Sequence, residues 1–405
     1  MKKSPLLSIF LIVLIDILGF TIILPLLPFY AEHLGATPVV VGWLLSSYGI
    51  CQFLAGPILG HLSDRVGRKP VLLVSQVGTL IGFLILAFSH NLIWVFVSRV
   101  IDGLTAGNIS VAQAYISDVT EPEKRAKSFG LIGIAFGFGF LVGPAIAGLL
   151  SHLGPQYPIF VAAALSAGSI FATYVLLPSS KAVAAGTETH SVAGEQTNSF
   201  NWKDSLRLFK DPAVNSLLWQ YLAFIFAFGM FFSGFALFAE RRYTHHALPF
   251  GTKEVSYVFA YVGLLGMIIQ GGLIGRLVKW FGESRLVEVG FLSMGIGFAY
   301  LGWTFNVPQL LVAVSLTFIG MSILRPSLTS LITQKAGRLR QGIALGTTQS
   351  FMSISQITTP FISGLLIQHR LLTFWAWGGV LISGCGWLIL RSRAVLPVNA
   401  ENKQV

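Results

Sequence analysis

The chain has 405 residues, 54% of them apolar and only 11% charged, with a mean hydropathy of +0.74 and a net charge of +11. A soluble domain carries about 25% charged residues, so this chain cannot clothe a globular surface of ordinary polarity, and its runs of about 20 apolar residues are read as membrane spans. Two cysteines, Cys51 and Cys385, are too few for a disulfide framework and read as small buried apolar side chains.

Twelve spans are predicted, at 6–30, 39–62, 70–88, 92–117, 128–151, 157–177, 213–239, 254–275, 285–304, 308–333, 342–367 and 371–390. With the N-terminus placed inside, 21 of the 27 Lys and Arg residues fall on one side of the membrane; Arg241, Arg242, Lys253 and Arg370 fall on the other, and Arg99 and Arg325 lie within spans. The positive-inside rule then puts both termini in the cytoplasm. The basic charge is topological, and no nucleic-acid partner is expected.

In chain order, the first run is too long for a cleavable signal peptide, has Pro25 and Pro28 near its far end and lacks a small-residue cleavage site. Asp16 sits near its midplane, with no charge within one turn to neutralise it. It is a candidate proton or cation-substrate site, or else a hydrogen-bonded structural acid. Between spans 2 and 3 runs Gly60-His61-Leu62-Ser63-Asp64-Arg65-Val66-Gly67-Arg68-Lys69. Gly67 permits a tight turn there, and Asp64 can cap a helix or pair with a basic residue. Arg99 and Asp102 share one face of span 4 at i and i+3. Each intramembrane charge costs at least ~2.5–3.5 kcal/mol, so the two either neutralise each other or the arginine tunes a nearby carboxylate. Asp118 ends that span. In span 5, Gly130, Gly139, Gly143, Ala147 and Gly148 place small residues along the helix, and Pro144 kinks it.

Residues 179–199 lose the apolar pattern and read as a flexible linker; Trp202, Leu206 and Phe209 then alternate with Lys203, Arg207 and Lys210 as in an amphipathic surface helix. The division expected is 1–178, an N-terminal six-helix bundle; 179–212, a cytoplasmic linker; and 213–405, a C-terminal bundle with a short tail. The halves echo each other. Gly60, Leu62 and Gly67 recur at Gly275, Leu277 and Gly282, a shift of 215, and Val142–Leu150 is echoed by Thr358–Leu366, a shift of 216. Such echoes predict two parallel six-helix repeats with a substrate site between them. The second copy of the loop has Lys279 in place of Asp64 and Glu283 in place of Arg68. Gln52, Gln113, Gln270 and Gln349, with Phe228 and Phe232, are candidate cavity-lining residues. Arg325, just before Pro326, either attracts an anionic group in the cavity, pairs with Asp16 or Asp102, or snorkels to the surface. No metal site is expected at His245-His246, no nucleotide-binding loop points to ATP, and no nucleophile–base constellation points to an enzyme.

Gly60–Lys69 resembles the signature loop of the major facilitator superfamily (MFS) of secondary transporters. Arg99-Val-Ile-Asp102-Gly103 resembles its fourth-helix motif, Gly130–Gly148 its fifth-helix antiporter motif, and the surroundings of Asp16 the first helix of drug/H⁺ antiporters such as tetracycline exporters. The resemblance implies an all-α membrane protein of twelve helices in two pseudo-symmetric bundles. It also implies a proton-coupled exporter of small amphiphilic or drug-like compounds working by alternating access, with no cofactor, in a bacterial inner membrane and as a functional monomer surrounded by lipid. By the same resemblance Asp64 is the residue of a conformational latch. Gly60, Arg65, Gly67, Arg68 and Lys69 accompany it, Asp118 is its acidic partner, and Arg99 takes part in proton coupling. Tetracycline exporters carry further intramembrane acids in spans 3 and 9; this chain has Gly82 and Ser293-Met294 there. The alternatives are a transporter of organic anions or lysophospholipid-like amphiphiles, and a membrane receptor or scaffold that no longer cycles.

Overall fold

The computed structural model describes residues 5–120, 122–177, 208–245, 248–337 and 340–394, with side chains omitted at 5, 122–131, 213, 342 and 392–394. Residues 179–207 of the linker expected over 179–212, with most of its amphipathic helix, lie outside the described residues. Of that helix, Phe209 is described: its ring packs edge-on against Trp219 and Phe351, at 5.8 and 6.0 Å.

The N-terminal half runs α1 (Pro5–His33), α2 (Pro38–Val66), α3 (Arg68–Ala87), α4 (Leu92–Leu104), α5 (Asn108–Val119), α6 (Pro122–Leu150) and α7 (Gln156–Leu176). The C-terminal half runs α8 (Pro212–Arg242), α9 (Thr252–Ile268), α10 (Ile274–Phe281), α11 (Glu283–Leu301), α12 (Val307–Ala336), α13 (Gln341–Gln368) and α14 (Leu372–Ala394). A two-residue hairpin, β1 (Thr244–His245) with β2 (Leu248–Pro249), follows α8. Among the described residues, eleven segments are long and apolar enough to cross a membrane. The remaining one, α11, opens with Glu283, Arg285 and Glu288, which lower its mean hydropathy, and it packs along α12 as a twelfth crossing.

Several predicted spans differ in detail. The fourth is interrupted at Thr105–Gly107, between α4 and α5. Thr105 turns its hydroxyl back onto the carbonyls of Ile101 and Asp102, and such local bonds compete with the helix ladder. The eighth is continuous from α9 to α10 through a π turn at Ile269–Leu273, where Gln270-Gly271-Gly272 weakens the α pattern. The ten-residue loop expected at Gly60–Lys69 is almost entirely helical. Residues up to Val66 finish α2, Arg68 starts α3, and Gly67 alone joins them with φ 107° and ψ 154°. Gly282 does the same between α10 and α11 with φ 74°.

The internal repeat is visible in structural detail. Asn91 caps α4 by accepting from the Trp94 amide, and Asn306, 215 positions on, caps α12 by accepting from the Gln309 amide. Tyr30 donates to the carbonyls of Leu86 in the last turn of α3 and Ser89 just beyond it, and Tyr243 meets Thr304 just beyond α11.

The twelve crossings alternate between two faces. One carries the joints at Gly67, Gly282 and Gly337 and, by the charge count above, is the basic face; the other is the far face. The halves meet near the far face along two seams. In one, α2 lies against α13: a Cβ on Gly42 would stand 2.6 Å from the Pro360 carbonyl oxygen, and Ser46 donates to the Ile357 carbonyl at 2.6 Å. In the other, α6 lies against α9: a Cβ on Gly148 would stand 3.0 Å from Ser256, and Gly263 sits on the Phe140 carbonyl. Toward the basic face the same helices part. Added Cβ atoms at Gly56, Gly60, Gly133, Gly271, Gly272 and Gly275 would meet nothing within 4 Å. From this we read a gap between the halves that opens to the basic face and is shut at the far face.

Candidate functional site

Asp16 lies eleven residues along α1, about 16 Å from its start at 1.5 Å per residue. Its carboxylate turns into the N-terminal half. Gln76 of α3 donates one amide to Asp16 Oδ2 at 3.4 Å and to Ser169 Oγ of α7 at 2.7 Å. Ser169 also lies within hydrogen-bond reach of Asp16, and Ser166 donates to the Gln76 carbonyl at 3.3 Å. Gln76, Ser166 and Ser169 are buried.

On α4, Arg99 Nη1 stands 3.2 Å from Asp102 Oδ2, with both side chains under a tenth exposed. The guanidinium also lies over the Phe83 ring at 5.9 Å, and its Nη2 has no hydrogen-bond partner. Gly82 of α3 allows this approach, since a Cβ there would lie 3.1 Å from that of Asp102. Asp102 is near enough for its charge to be felt at Asp16. The core of this half thus holds two carboxylates and one guanidinium. Gln52 donates to Tyr48 Oη at 3.3 Å beside this cluster.

At the basic face, the turn at Gly67 sets Arg68 between two acids. Arg68 Nη1 is 2.5 Å from Asp64 Oδ1, and its Nε is 2.8 Å from Asp118 Oδ2 at the end of α5. It also donates to Ser63 Oγ at 2.7 Å. Lys69 donates to the carbonyls of Tyr174 and Leu177, closing α3 onto α7. Arg65 is exposed. All these partners belong to the N-terminal half. Glu283, which replaces Arg68 in the second copy, accepts from Ser330 and Gln334 of α12 within its own half.

The glycines of α6 have different neighbours. Gly139 and Gly143 face Ile17 and Thr21 of α1, and Thr21 donates to the Gly139 carbonyl at 2.9 Å. Gly148 faces α9 of the other half. Gly130 lies in α6 among residues whose side chains are outside the described set. Pro144, lacking an amide hydrogen, frees the Phe140 carbonyl, and it is on this carbonyl that Gly263 packs.

Arg325 reaches across the gap and lies 5.6 Å over the ring of Phe136 on α6. It pairs with neither Asp16 nor Asp102, both of which are turned into the other half's core; among the described residues no carboxylate lies within ion-pair distance of it. Phe136 stacks on Phe140, which meets Phe232 of α8 at 5.0 Å, and Phe232 meets Phe228 at 4.5 Å. Gln113, Gln270 and Gln349 have exposed side chains.

Sequence reasoning missed Gln76 and Ser169, although a lone amide in the apolar run of span 3 was a signal. It also missed a far-face ion cluster. Arg241 Nη2 at the end of α8 is 2.5 Å from Glu32 Oε1 at the end of α1, and its Nη1 is 2.7 Å from Glu240. His245 Nδ1 lies 3.5 Å from Glu254, and His246 is outside the described residues. No three His, Cys, Asp or Glu side chains converge as a metal site among the described residues.

Comparison with known proteins agrees with this architecture. The chain is 28% identical over 401 residues to the class B tetracycline resistance protein of Escherichia coli, covering 97% of this chain and 96% of that protein. It is 26% identical to multidrug resistance protein 2 of Bacillus subtilis, covering 94% of each. It is 27% identical to the quinolone resistance protein NorA of Staphylococcus aureus, covering 87% of each. Among solved structures, the human organic anion transporter MFSD10 superposes with a TM-score of 0.69 at 22% identity, covering 96% of this chain and all of the other. The nucleoside transporter NupG superposes with a TM-score of 0.75 at 15% identity, covering 96% of this chain and 98% of the other; at these identities the likeness is one of fold. The sequence profile of the Major Facilitator Superfamily matches residues 9–301. With its twelve crossings, repeated halves and gap between them, this multi-pass membrane chain belongs to the Major Facilitator Superfamily.

Proposed function

We propose that this protein exports small amphiphilic or drug-like organic compounds in exchange for protons. The single observation that carries the reading is the intramembrane cluster of Asp16, Gln76, Ser169, Arg99 and Asp102, of which all but the half-buried Asp16 are buried. Two carboxylates and one guanidinium lie there, and the guanidinium pairs with Asp102 alone. In a low-dielectric core an uncompensated carboxylate is far cheaper neutral than charged, so the cluster takes up one proton and gives it back when a neighbour's position changes. Asp16 is the proton-carrying group in this reading, and Arg99 and Asp102 set its electrostatic surroundings. The tetracycline, quinolone and multidrug resistance proteins named above support export as the direction. They do not favour the alternatives, a transporter of organic anions or lysophospholipid-like amphiphiles with different coupling, or a receptor.

With the basic face in the cytoplasm of a bacterial inner membrane, the gap is an inward-facing cavity. Closing the basic face and opening the far one delivers the substrate outside, and a proton entering supplies ~2.3 kcal/mol per 100 mV. The Gly60–Lys69 segment acts as the latch. In the inward-open form Arg68 keeps Asp64 and Asp118 within one half, and the latch reaches the other half when the basic face shuts. The monomer is the working unit.

The test is transport of ethidium and tetracycline by the purified protein in proteoliposomes with an imposed pH gradient. Wild type is expected to move at least one of them against its gradient, and Asp16→Asn to keep binding while losing its response to the pH gradient. Flux indifferent to the pH gradient in wild type, or full coupling in Asp16→Asn, overturns the reading.

A further inference from the structure

We infer that the gap contains an anion subsite centred on Arg325, so that preferred substrates carry a negatively charged group on an aromatic body. The inference rests on reading the gap as the substrate route.

The charges within the spans divide unequally. In the N-terminal half Arg99 pairs with Asp102, and Asp16 is held by Gln76 and Ser169, on helix faces turned into that half. Each therefore already has a partner within that half. In the C-terminal half Arg325 stands on α12 eleven residues from its end at Ala336, about 16 Å deep at 1.5 Å per residue. Its side chain extends to the opposite half and stops over an aromatic face, Phe136, with Tyr221 of α8 within reach of its charge. A ring face attracts a cation but does not neutralise it. A guanidinium has five donors in a planar fork, and carboxylate, sulfonate and phosphate oxygens match that fork.

The surroundings define the remainder of the ligand. From Phe136 the rings of Phe140 and Phe232 continue the wall toward the closed far end, at successive centroid separations of 6.4 and 5.0 Å. Phe136 and Phe140 come from one half and Phe232 from the other. A flat apolar body beside Arg325 would therefore touch both halves at once. A ligand that bridges the halves, with its anion on α12 and its ring against α6, binds one conformation differently from the other, which is the requirement for a transported substrate.

The experiment uses two probes of the same aromatic bulk. One is 1-anilinonaphthalene-8-sulfonate, which is anionic; the other is N-phenyl-1-naphthylamine, its uncharged counterpart. Binding of each is titrated onto the purified full-length protein in uncharged detergent, by fluorescence and calorimetry, for wild type, Arg325→Gln and Arg325→Lys. Wild type is expected to bind the sulfonate at least tenfold more tightly than the neutral probe. Arg325→Gln is expected to weaken the sulfonate tenfold or more and to leave the neutral probe within about twofold, as loss of a charged hydrogen bond predicts. Arg325→Lys keeps the charge and recovers most of the preference. Equal weakening of both probes means that Arg325 only supports the fold; no change with either, or no preference in wild type, removes the subsite. Each of these outcomes overturns the inference. Binding in detergent needs no gradient, so failure here is separable from failure of proton-coupled export.

Discussion

Arg99 illustrates how a charge survives inside a membrane protein. One carboxylate at 3.2 Å and one ring face hold it, and both partners are buried with it. Removing one member of such a pair leaves the other stranded, at a cost of about 3–5 kcal/mol. Arg99→Leu is therefore expected to lower the melting temperature of the purified protein markedly. The double variant Arg99→Leu with Asp102→Asn should recover most of that loss, because no unpaired charge remains. Scanning fluorimetry of the four members of the cycle checks this, and additive losses would contradict it. The Arg99–Asp102 contact was legible from spacing alone, since residues at i and i+3 share a helix face. The surroundings of Asp16 were not. Gln76 and Ser169 lie 60 and 153 positions further along the chain, and only the packing of α3 and α7 on α1 brings them together. Arg325 offered three readings in the sequence, and choosing among them required knowing which helix faces it.

At the scale of elements, two devices set the geometry: single-glycine joints and proline kinks. Gly67 has a backbone conformation open to glycine almost alone. Gly67→Ala is expected to cost about 1–3 kcal/mol and to swing Arg68 away from Asp118, seen as a lower melting temperature and a weaker latch in transport assays. Pro144 and Pro360, one repeat apart, free the carbonyls of Phe140 and Gln356. Each freed carbonyl is covered by a glycine of the opposite half, Gly263 and Gly49 respectively. These backbone contacts close the far end. Gly263→Val forces a side chain onto the Phe140 carbonyl, and overpacking of this kind costs about 1–3 kcal/mol. It should push the equilibrium toward far-side opening by roughly tenfold. Spin labels at positions 35 and 251 in a cysteine-free background would report a longer far-side distance, whereas an unchanged distance would mean that the seam does not control closure. The spans and the repeat could be read from hydropathy and from echoes at shifts of 215 and 216. The break in span 4 and the shrinkage of a ten-residue loop to one glycine could not, because charged residues in the final turns of a helix resemble a loop in a hydropathy profile.

The whole molecule is a balance between two closures, and the present form shows which contacts favour one of them. At the basic face no described ion pair crosses between the halves' signature segments: Arg68 binds Asp64 and Asp118 in one half, while Glu283 binds Ser330 and Gln334 in the other. At the far face an ion pair does cross, Glu32 of α1 to Arg241 of α8 at 2.5 Å, with both side chains less than a third exposed. Such a pair must break when the far end opens, so it stabilises the far-closed form by its full net worth. For a partly screened pair that is about 1 kcal/mol, or roughly a fivefold shift in population. Glu32→Gln is expected to raise the far-open fraction by about that factor, read from the same labels at positions 35 and 251, and the effect should shrink in high salt. Glu240 provides the contrast. It contacts Arg241 from the adjacent position on the same helix, but its carboxyl also lies within hydrogen-bond reach of Glu32 across the seam, carboxyl to carboxyl. Glu240→Gln removes a like charge beside Glu32, keeps a hydrogen-bonding group there and leaves Arg241 to Glu32, so it should keep the far end shut. If the two variants open the molecule equally, the cluster acts through its net charge; if only Glu32→Gln does, the cross-half pair is the far-side counterpart of the latch.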